Sequence, residues 1–419
     1  MRALLAGGTC AALLSACVTA PAPDPDDGLG GVRYPDPAVE NPGVIVIAQP
    51  QLTPPPAPPV TAPPPAPSEP PPDVTVEQPD LFANLPFWEQ ADLAPALAAF
   101  RRGCEAILQA DSAAMLNPKL SQYGTYGDWQ PGCLDAQLAT DARAFFESRF
   151  APLSLSTASE REGLLTGYYE PEVDVRITPD ATYSEPILAK PATKAVQQRV
   201  RAELGPRSAR VIAYGKPIDV FFLQIQGSGR LRYSDGRTLR AAYAGNNGHP
   251  YRSIGRVLIE RGELSRDKSS KRDIERWMAE AGPKPARALM NENPRYIFFT
   301  EQRIEPGEGP RGAMRVPLTP MASIAVDPRA HPYGTLVWMN TKLPTRARDY
   351  RGVDTGLLVV AQDTGSAIRG SLRGDLFFGS GAEPGARAGV MKHPVRWTVL
   401  VPRHLAPDAV RVAEVDGAP

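Results

Sequence analysis

Two aspartates could carry acid–base chemistry. Asp363 closes the nearly apolar run Leu357 to Gln362, and Asp375 lies between Gly374 and the apolar residues Leu376, Phe377 and Phe378. A carboxyl group in apolar surroundings holds its proton more tightly, and a second carboxylate nearby pushes the same way, so such a pair is prepared for general acid catalysis. Aspartate beside glycine also caps turns, and spacing alone leaves both readings open. A second polar set is Gln224, Gln226 and Ser228 in the string Val220 to Gly229. Read as a strand, the string alternates these three with Leu223, Ile225 and Gly227, so that two amides and a hydroxyl share one face. That face suits a ligand rich in hydroxyl and acetamido groups; a half-buried strand with a solvated side has the same pattern. Thr166, Tyr168 and Glu170 in the segment Thr166 to Pro171, and the loop Gly245-Asn246-Asn247-Gly248-His249, add polar groups among glycines and aromatics. The histidines His249, His331, His393 and His404, with two internal cysteines lacking close spacing, give no zinc pattern, so neither metal nor cofactor is expected.

The elements that must hold these residues are legible in outline. Leu93, Leu97, Phe100, Cys104 and Ile107 recur at helical steps, with Asp92 as N-cap and Pro95 in the first turn. A second helix is expected from Asp135 through Phe145, Phe146 and Phe150. After Leu153 short runs read as strands between Gly and Pro turns: Gly163–Tyr169, Pro186–Leu188, Arg210–Tyr214, Val220–Gln226 and Thr335–Met339. Helical stretches Tyr251–Arg261 and Lys271–Ala281 stop at Gly262 and Gly282. Strands return between Gly356 and Pro402, clearest at Leu357–Val360 and Trp397–Val401. This is a β-rich α+β chain without the regular alternation of a doubly wound parallel fold, and without an internal repeat.

The rest of the chain concerns placement. Met1 to Cys17 has one early positive charge, Arg2, and an apolar run ending in small residues, which reads as an export signal too short to be a mature transmembrane span. Its end, Leu14-Ser15-Ala16-Cys17, resembles the bacterial lipoprotein cleavage box, in which the cysteine becomes the acylated first residue; a soluble secreted protein with a chance cysteine is the alternative. Acyl chains on Cys17 would anchor the chain to a membrane. Of the 47 prolines, 14 fall within residues 50–79, so the stretch from Val18 to about Asp80 reads as an extended linker. About 30 such residues in polyproline II could reach roughly 90 Å. Cys104 and Cys133 could form a disulfide in an oxidising compartment or remain two small buried thiols. The 46 basic residues balance 46 acidic ones, which argues against nucleic acid as the main partner.

Four separate motifs in register then give a resemblance. The string Phe221-Phe222-Leu223-Gln224-Ile225-Gln226-Gly227-Ser228-Gly229, the segment Ala244 to Gly255, Asn293-Pro294-Arg295-Tyr296-Ile297-Phe298-Phe299, and the segment Gln362 to Asp375 are similar to those of the membrane-bound lytic transglycosylase A family over roughly Phe87 to Pro402. The resemblance implies a double-psi β-barrel catalytic domain (residues 81–172 and 312–403) with a second β-rich domain (173–311) inserted, an N-terminal helical part and a substrate groove at the junction. It implies cleavage of the β-1,4 bond between N-acetylmuramic acid and N-acetylglucosamine in peptidoglycan, ending in 1,6-anhydromuramic acid. Asp375 matches the family's single catalytic acid and Asp363 a neighbouring aspartate, while Thr166, Tyr168, Gln224, Gln226 and Ser228 would position the glycan. The long proline-rich linker departs from the typical member. The expected setting is a monomer on peptidoglycan strands, lipid-anchored at the periplasmic face of the outer membrane, since Val18 after the lipobox is not aspartate. A non-catalytic, expansin-like wall-binding protein and a water-using muramidase with Asp363 as partner carboxylate are the competing readings.

Overall fold

The computed structural model describes residues 75–79, 82–156, 162–265 and 271–406. Cys17 and most of the proline-rich tract lie outside them. The chain enters through strand β1 (Thr75–Pro79), helices α1 (Ala94–Gln109), α2 (Tyr126–Leu138) and α3 (Ala142–Arg149), then β2 (Phe150–Ser156) and β3 (Gly163–Glu170). A second region follows with β4 (Glu172–Arg176), β5 (Glu185–Leu188), α4 (Lys194–Gln197), β6 (Val211–Gly215), α5 (Pro217–Gln226), β7 (Gly229–Tyr233) and β8 (Thr238–Asn246). It continues with α6 (Ile254–Glu260), α7 (Lys271–Ala281), α8 (Pro283–Asn291) and β9 (Ile297–Gln302). The chain then returns to the first region with β10 (Ser323–Val326), β11 (Leu336–Leu343), β12 (Val353–Asp363), β13 (Arg373–Ser380), α9 (Ala382–Ala388) and β14 (Lys392–Pro402).

Strands from both ends of the described chain share one sheet, ordered β1-β2-β14-β11-β12-β10-β13-β3, and β3 pairs back to β14. The pairing closes six strands into a barrel. β14 makes closure possible because it is long: Lys392–Val395 pair with β3, while Trp397–Pro402 on the same edge pair with β2. The second sheet, β5-β6-β4-β7-β8-β9, is inserted between β3 and β10. The β-rich α+β architecture, with an N-terminal helical part and an inserted β domain, is therefore present as expected.

The helical face of α1 is buried at Leu97, Phe100, Cys104 and Ile107, packing with Trp129, Phe146, Phe150 and the barrel residues Trp338 and Trp397 in one core. Cys104 and Cys133 are joined as a disulfide between α1 and α2. Asp92 accepts from the Ala94 amide at 3.0 Å, although Leu93 is the cap residue by backbone position.

Three expectations are corrected. The linker ends earlier than Asp80, because Thr75–Pro79 pair with β2 as an edge strand; backbone pairing needs no apolar run, and an edge tolerates a terminal proline. The single helix expected over 135–150 is two. α2 is capped at its start by Thr125, whose amide donates to Asp128 Oδ2 at 2.7 Å, and its start is masked in sequence by Gly127, Pro131 and Gly132. α3 starts anew at Asp141, which accepts from the Ala144 amide at 3.1 Å.

The third correction matters most for the site. Val220–Gln226 is part of helix α5, not a strand. Pro217 opens it, and Gly227 at φ 80° closes it in the left-handed conformation that glycine adopts without strain. The helix is buried all round because it lies between two apolar layers. Val220 and Leu223 face the second sheet, and Phe221, Phe222 and Ile225 face α6, α7 and α8. A short apolar run buried on both sides has no periodicity that separates helix from strand. Residues two apart on a helix stand about 200° apart, so Gln224 and Gln226 do not share a face.

Candidate active site

Asp375 and Asp363 meet because strands distant in sequence become neighbours. In the barrel wall Asp375 of β13 is opposite Ala325 of β10 on one side and Thr166 of β3 on the other. Ala325 is also opposite Asp363 at the end of β12. The two carboxylates thus occupy one level of the wall with a single alanine between them. Both aspartates are 0% exposed. Gly374 lets β13 lie flush: a Cβ there would approach Ile324 Cδ1 to 2.6 Å and the Trp397 ring to 2.9 Å.

Asp363 is held from three directions. The Tyr168 hydroxyl donates to Oδ2 at 2.8 Å, and the amides of Ala313 and Thr364 donate to Oδ1 at 2.9 Å each. Burial pushes this carboxyl up to about 7, with the Asp375 charge adding to the push and the three hydrogen bonds opposing it. Tyr168 is itself buried, its ring 5.3 Å from that of Phe377. Gln362 secures the end of β12, accepting from Ser323 Oγ at 2.6 Å and donating to the Ala99 carbonyl at 2.7 Å.

Asp375 accepts at Oδ1 from the Thr166 hydroxyl. Thr166 Oγ1 in turn accepts from Arg373 Nη2 at 2.8 Å. Arg373 was not singled out from the sequence. Its position two residues before Asp375 on one strand was the available signal, since such residues share a face.

The other expected site residues divide. Gln226 lies at the junction of the two regions, accepting from the Tyr169 amide at 3.3 Å. Ser228 is buried beside it in the chain. Gln224 points elsewhere: its Oε1 accepts from Arg201, which also donates to the Asn293 carbonyl at 2.9 Å. Thr166 and Tyr168 are thus brought to the carboxylates, whereas Gln224 is tied into the interior of the inserted region.

A residue that sequence reasoning quoted without a role is Glu170, where β3 passes through Pro171 into β4 of the second sheet. Its carboxylate is 0% exposed and binds Arg240 Nε at 2.6 Å, Arg230 Nε at 2.9 Å and Ser380 Oγ at 2.6 Å. Arg230 and Arg240 belong to the second sheet and Ser380 to the barrel, so one buried carboxylate joins the two.

Residues 193–300 match the MltA specific insert domain, and residues 322–401 match the 3D domain. A membrane-bound lytic murein transglycosylase A of Escherichia coli K12 is 36% identical over 239 residues, 56% of this chain and 64% of the relative. The aligned part thus spans a little under two thirds of that relative's length. A solved lytic transglycosylase of Burkholderia pseudomallei, LtgG, is 34% identical with a TM-score of 0.54, over 79% of this chain and 98% of that one. The structure of E. coli MltA with bound chitohexaose is 30% identical with a TM-score of 0.57, over 74% of this chain and 90% of that one. Likeness in sequence and in fold over nearly the full length of solved members, on the same strands that bring Asp363 and Asp375 together, means that this chain belongs to the membrane-bound lytic murein transglycosylase A family.

Proposed function

We propose that the protein is a lytic transglycosylase that cuts the β-1,4 bond between N-acetylmuramic acid and N-acetylglucosamine in peptidoglycan. Asp375 gives its proton to the glycosidic oxygen as the bond to C1 breaks. The muramic acid's own 6-hydroxyl then attacks C1 and returns its proton to the Asp375 carboxylate, closing a 1,6-anhydro ring without added water. One residue acts as acid and then as base.

The observation that carries this reading is the unequal state of the two carboxylates. A hydrolase needs a second carboxylate to attack or to activate water. Asp363 has both oxygens engaged by Tyr168, Ala313 and Thr364, which suits a group that tunes its neighbour better than one that handles solvent. Thr166 and Tyr168 act by holding the two carboxylates, and Gln226 and Ser228 by shaping the junction where the glycan lies, with Gln224 bracing the insert behind them. The chitohexaose held by the E. coli relative supports a glycan ligand. The domain limits that go with this reading are 81–172, with edge strand β1 before it, and 312–403 for the catalytic barrel and 173–311 for the insert. The protein works as a monomer, tethered through Cys17 and the proline-rich linker to the periplasmic face of the outer membrane.

Mass spectrometry of muropeptides released from purified sacculi tests the proposal. Anhydro-ended fragments, lighter by one water than hydrolase products, are expected. Asp375→Asn should lower turnover by about 10⁴-fold, at the upper end for general acid–base catalysis, with glycan binding retained, because asparagine keeps the contacts and has no proton to deliver. Reducing-end muramic acid would favour the two-carboxylate muramidase; no fragments would favour the wall-binding reading, and normal cutting by Asp375→Asn would show that Asp375 is not the acid.

A further inference from the structure

We propose that Arg373 is a positioning residue acting on Asp375 through the Thr166 hydroxyl: it commits that hydroxyl's proton to Asp375 Oδ1, so the transferable proton is carried on Oδ2. The inference rests on Asp375 being the catalytic acid.

The argument is one of donor inventory. A guanidinium has only donors, and a hydroxyl has one proton. Arg373 Nη2 lies 2.8 Å from Thr166 Oγ1, so Oγ1 accepts there. The single Thr166 proton is then left for Asp375 Oδ1, with which the hydroxyl is paired. Thr166 is 4% exposed, which keeps bulk water from competing for the hydroxyl. Arg373 is itself fixed by its Nη1 group, which bonds the carbonyls of Gly374 and Leu164. The pair Thr166 and Arg373 is separated by 207 positions in the chain and meets only because β3 and β13 run parallel, with Leu164 opposite Arg373 and Thr166 opposite Asp375.

The remaining groups around Asp375 set the background. β10 places Ala325 opposite it, and none of that strand's four residues is charged. β12 brings Asp363, β3 brings Tyr168, which is bonded to Asp363, and β14 brings Lys392 opposite Thr166. Against that background the donated hydroxyl proton favours the ionised carboxylate, and the guanidinium acts by holding that donation in place. Without them Thr166 can turn away, and Asp375 keeps its proton to higher pH and yields it less readily.

The test follows the Asp375 side-chain carboxyl by ¹³C NMR in aspartate-labelled full-length protein, its signal identified by loss in Asp375→Asn, together with the pH dependence of kcat on sacculi. Arg373→Leu should move the titration and the alkaline limb of kcat to higher pH by about one unit and lower kcat about tenfold, with KM little changed. Arg373→Lys, which retains a charged donor, should recover most of both. Thr166→Val should give a shift in the same direction, and adding Arg373→Leu to it should give no further shift, because the two act in series. If Arg373→Leu does not fold, Arg373→Lys and Thr166→Val still report the coupling. An unmoved titration, additive effects, or a change confined to KM would overturn the proposal. A wild type that releases no fragments would instead sink the catalytic reading, while the titration still decides whether Arg373 controls Asp375.

Discussion

A carboxyl pushed up to about 7 by burial links Asp363 to stability as well as to chemistry. Below the unfolded value of 3.8 the group is protonated in both states. As pH rises from about 4 to 7 the unfolded chain releases this proton and the folded chain keeps it, so the contribution of Asp363 to stability is lost across that window. A shift of about three units sets an upper limit of about 4 kcal/mol. Asp363→Asn resembles the protonated form, since its amide oxygen can still accept from Ala313 and Thr364. The variant is therefore expected to gain stability relative to wild type as pH rises through the window. Urea denaturation at pH 4.5 and 7.5 checks this; a difference between variant and wild type that does not change with pH would show that Asp363 is ionised throughout.

Among the elements, the α1–α2 pair is the part of the barrel's support that a covalent crosslink holds. Cys104 and Cys133 are each 0% exposed and linked across 29 positions. Replacing both by alanine should cost about 2–4 kcal/mol by restoring freedom to the unfolded chain. The carboxylate level of the barrel lies on other strands, so turnover of the folded variant should stay close to that of wild type. Thermal unfolding and sacculus digestion measured side by side would check both halves; an intact melting temperature would show that the crosslink is redundant with the packing of Phe100 on Phe145 and Phe150. Helix α5 makes the complementary point. Its position between a sheet and three helices, more than the propensity of its residues, sets its conformation.

For the molecule as a whole, Glu170 is the residue through which barrel and insert hold each other. Arg240 is only 4% exposed, so Glu170→Gln would strand a buried cation. Breaking such a pair from one side typically costs about 3–5 kcal/mol. The variant should unfold at lower denaturant concentration and bind glycan more weakly, since Gln226 and the barrel carboxylates are registered across this join. Calorimetry with a chitooligosaccharide would report the second effect; unchanged affinity would mean that the insert takes no part in holding the glycan. At the other end of the chain, Cys17→Ser should release the protein from the membrane fraction while leaving it active on isolated sacculi. Retention after a detergent-free wash would place the anchor elsewhere.

What the sequence determined by itself is local. The apolar neighbours of Asp363 and Asp375 singled out both as either turn caps or carboxyls held out of water, and the fold gives both as 0% exposed. The spacing of Leu97, Phe100, Cys104 and Ile107 marked the inner face of α1, and the strand runs near Gly163, Pro186, Leu357 and Trp397 all lie in sheets. The family resemblance was equally readable, because four short motifs in order need no folding to be compared. Tertiary structure decided what depends on non-local neighbours. Alternation over seven residues fitted a strand at Val220–Gln226 as well as a helix, and only burial on both sides made it α5. That outcome separated Gln224 from Gln226. Likewise, the closeness of Asp363 to Asp375 follows from β10 lying between β12 and β13, and the reach of Arg373 to Thr166 from β13 pairing with β3. Strand order is set by which faces bury together across the closed barrel, and that free energy belongs to no single stretch of chain.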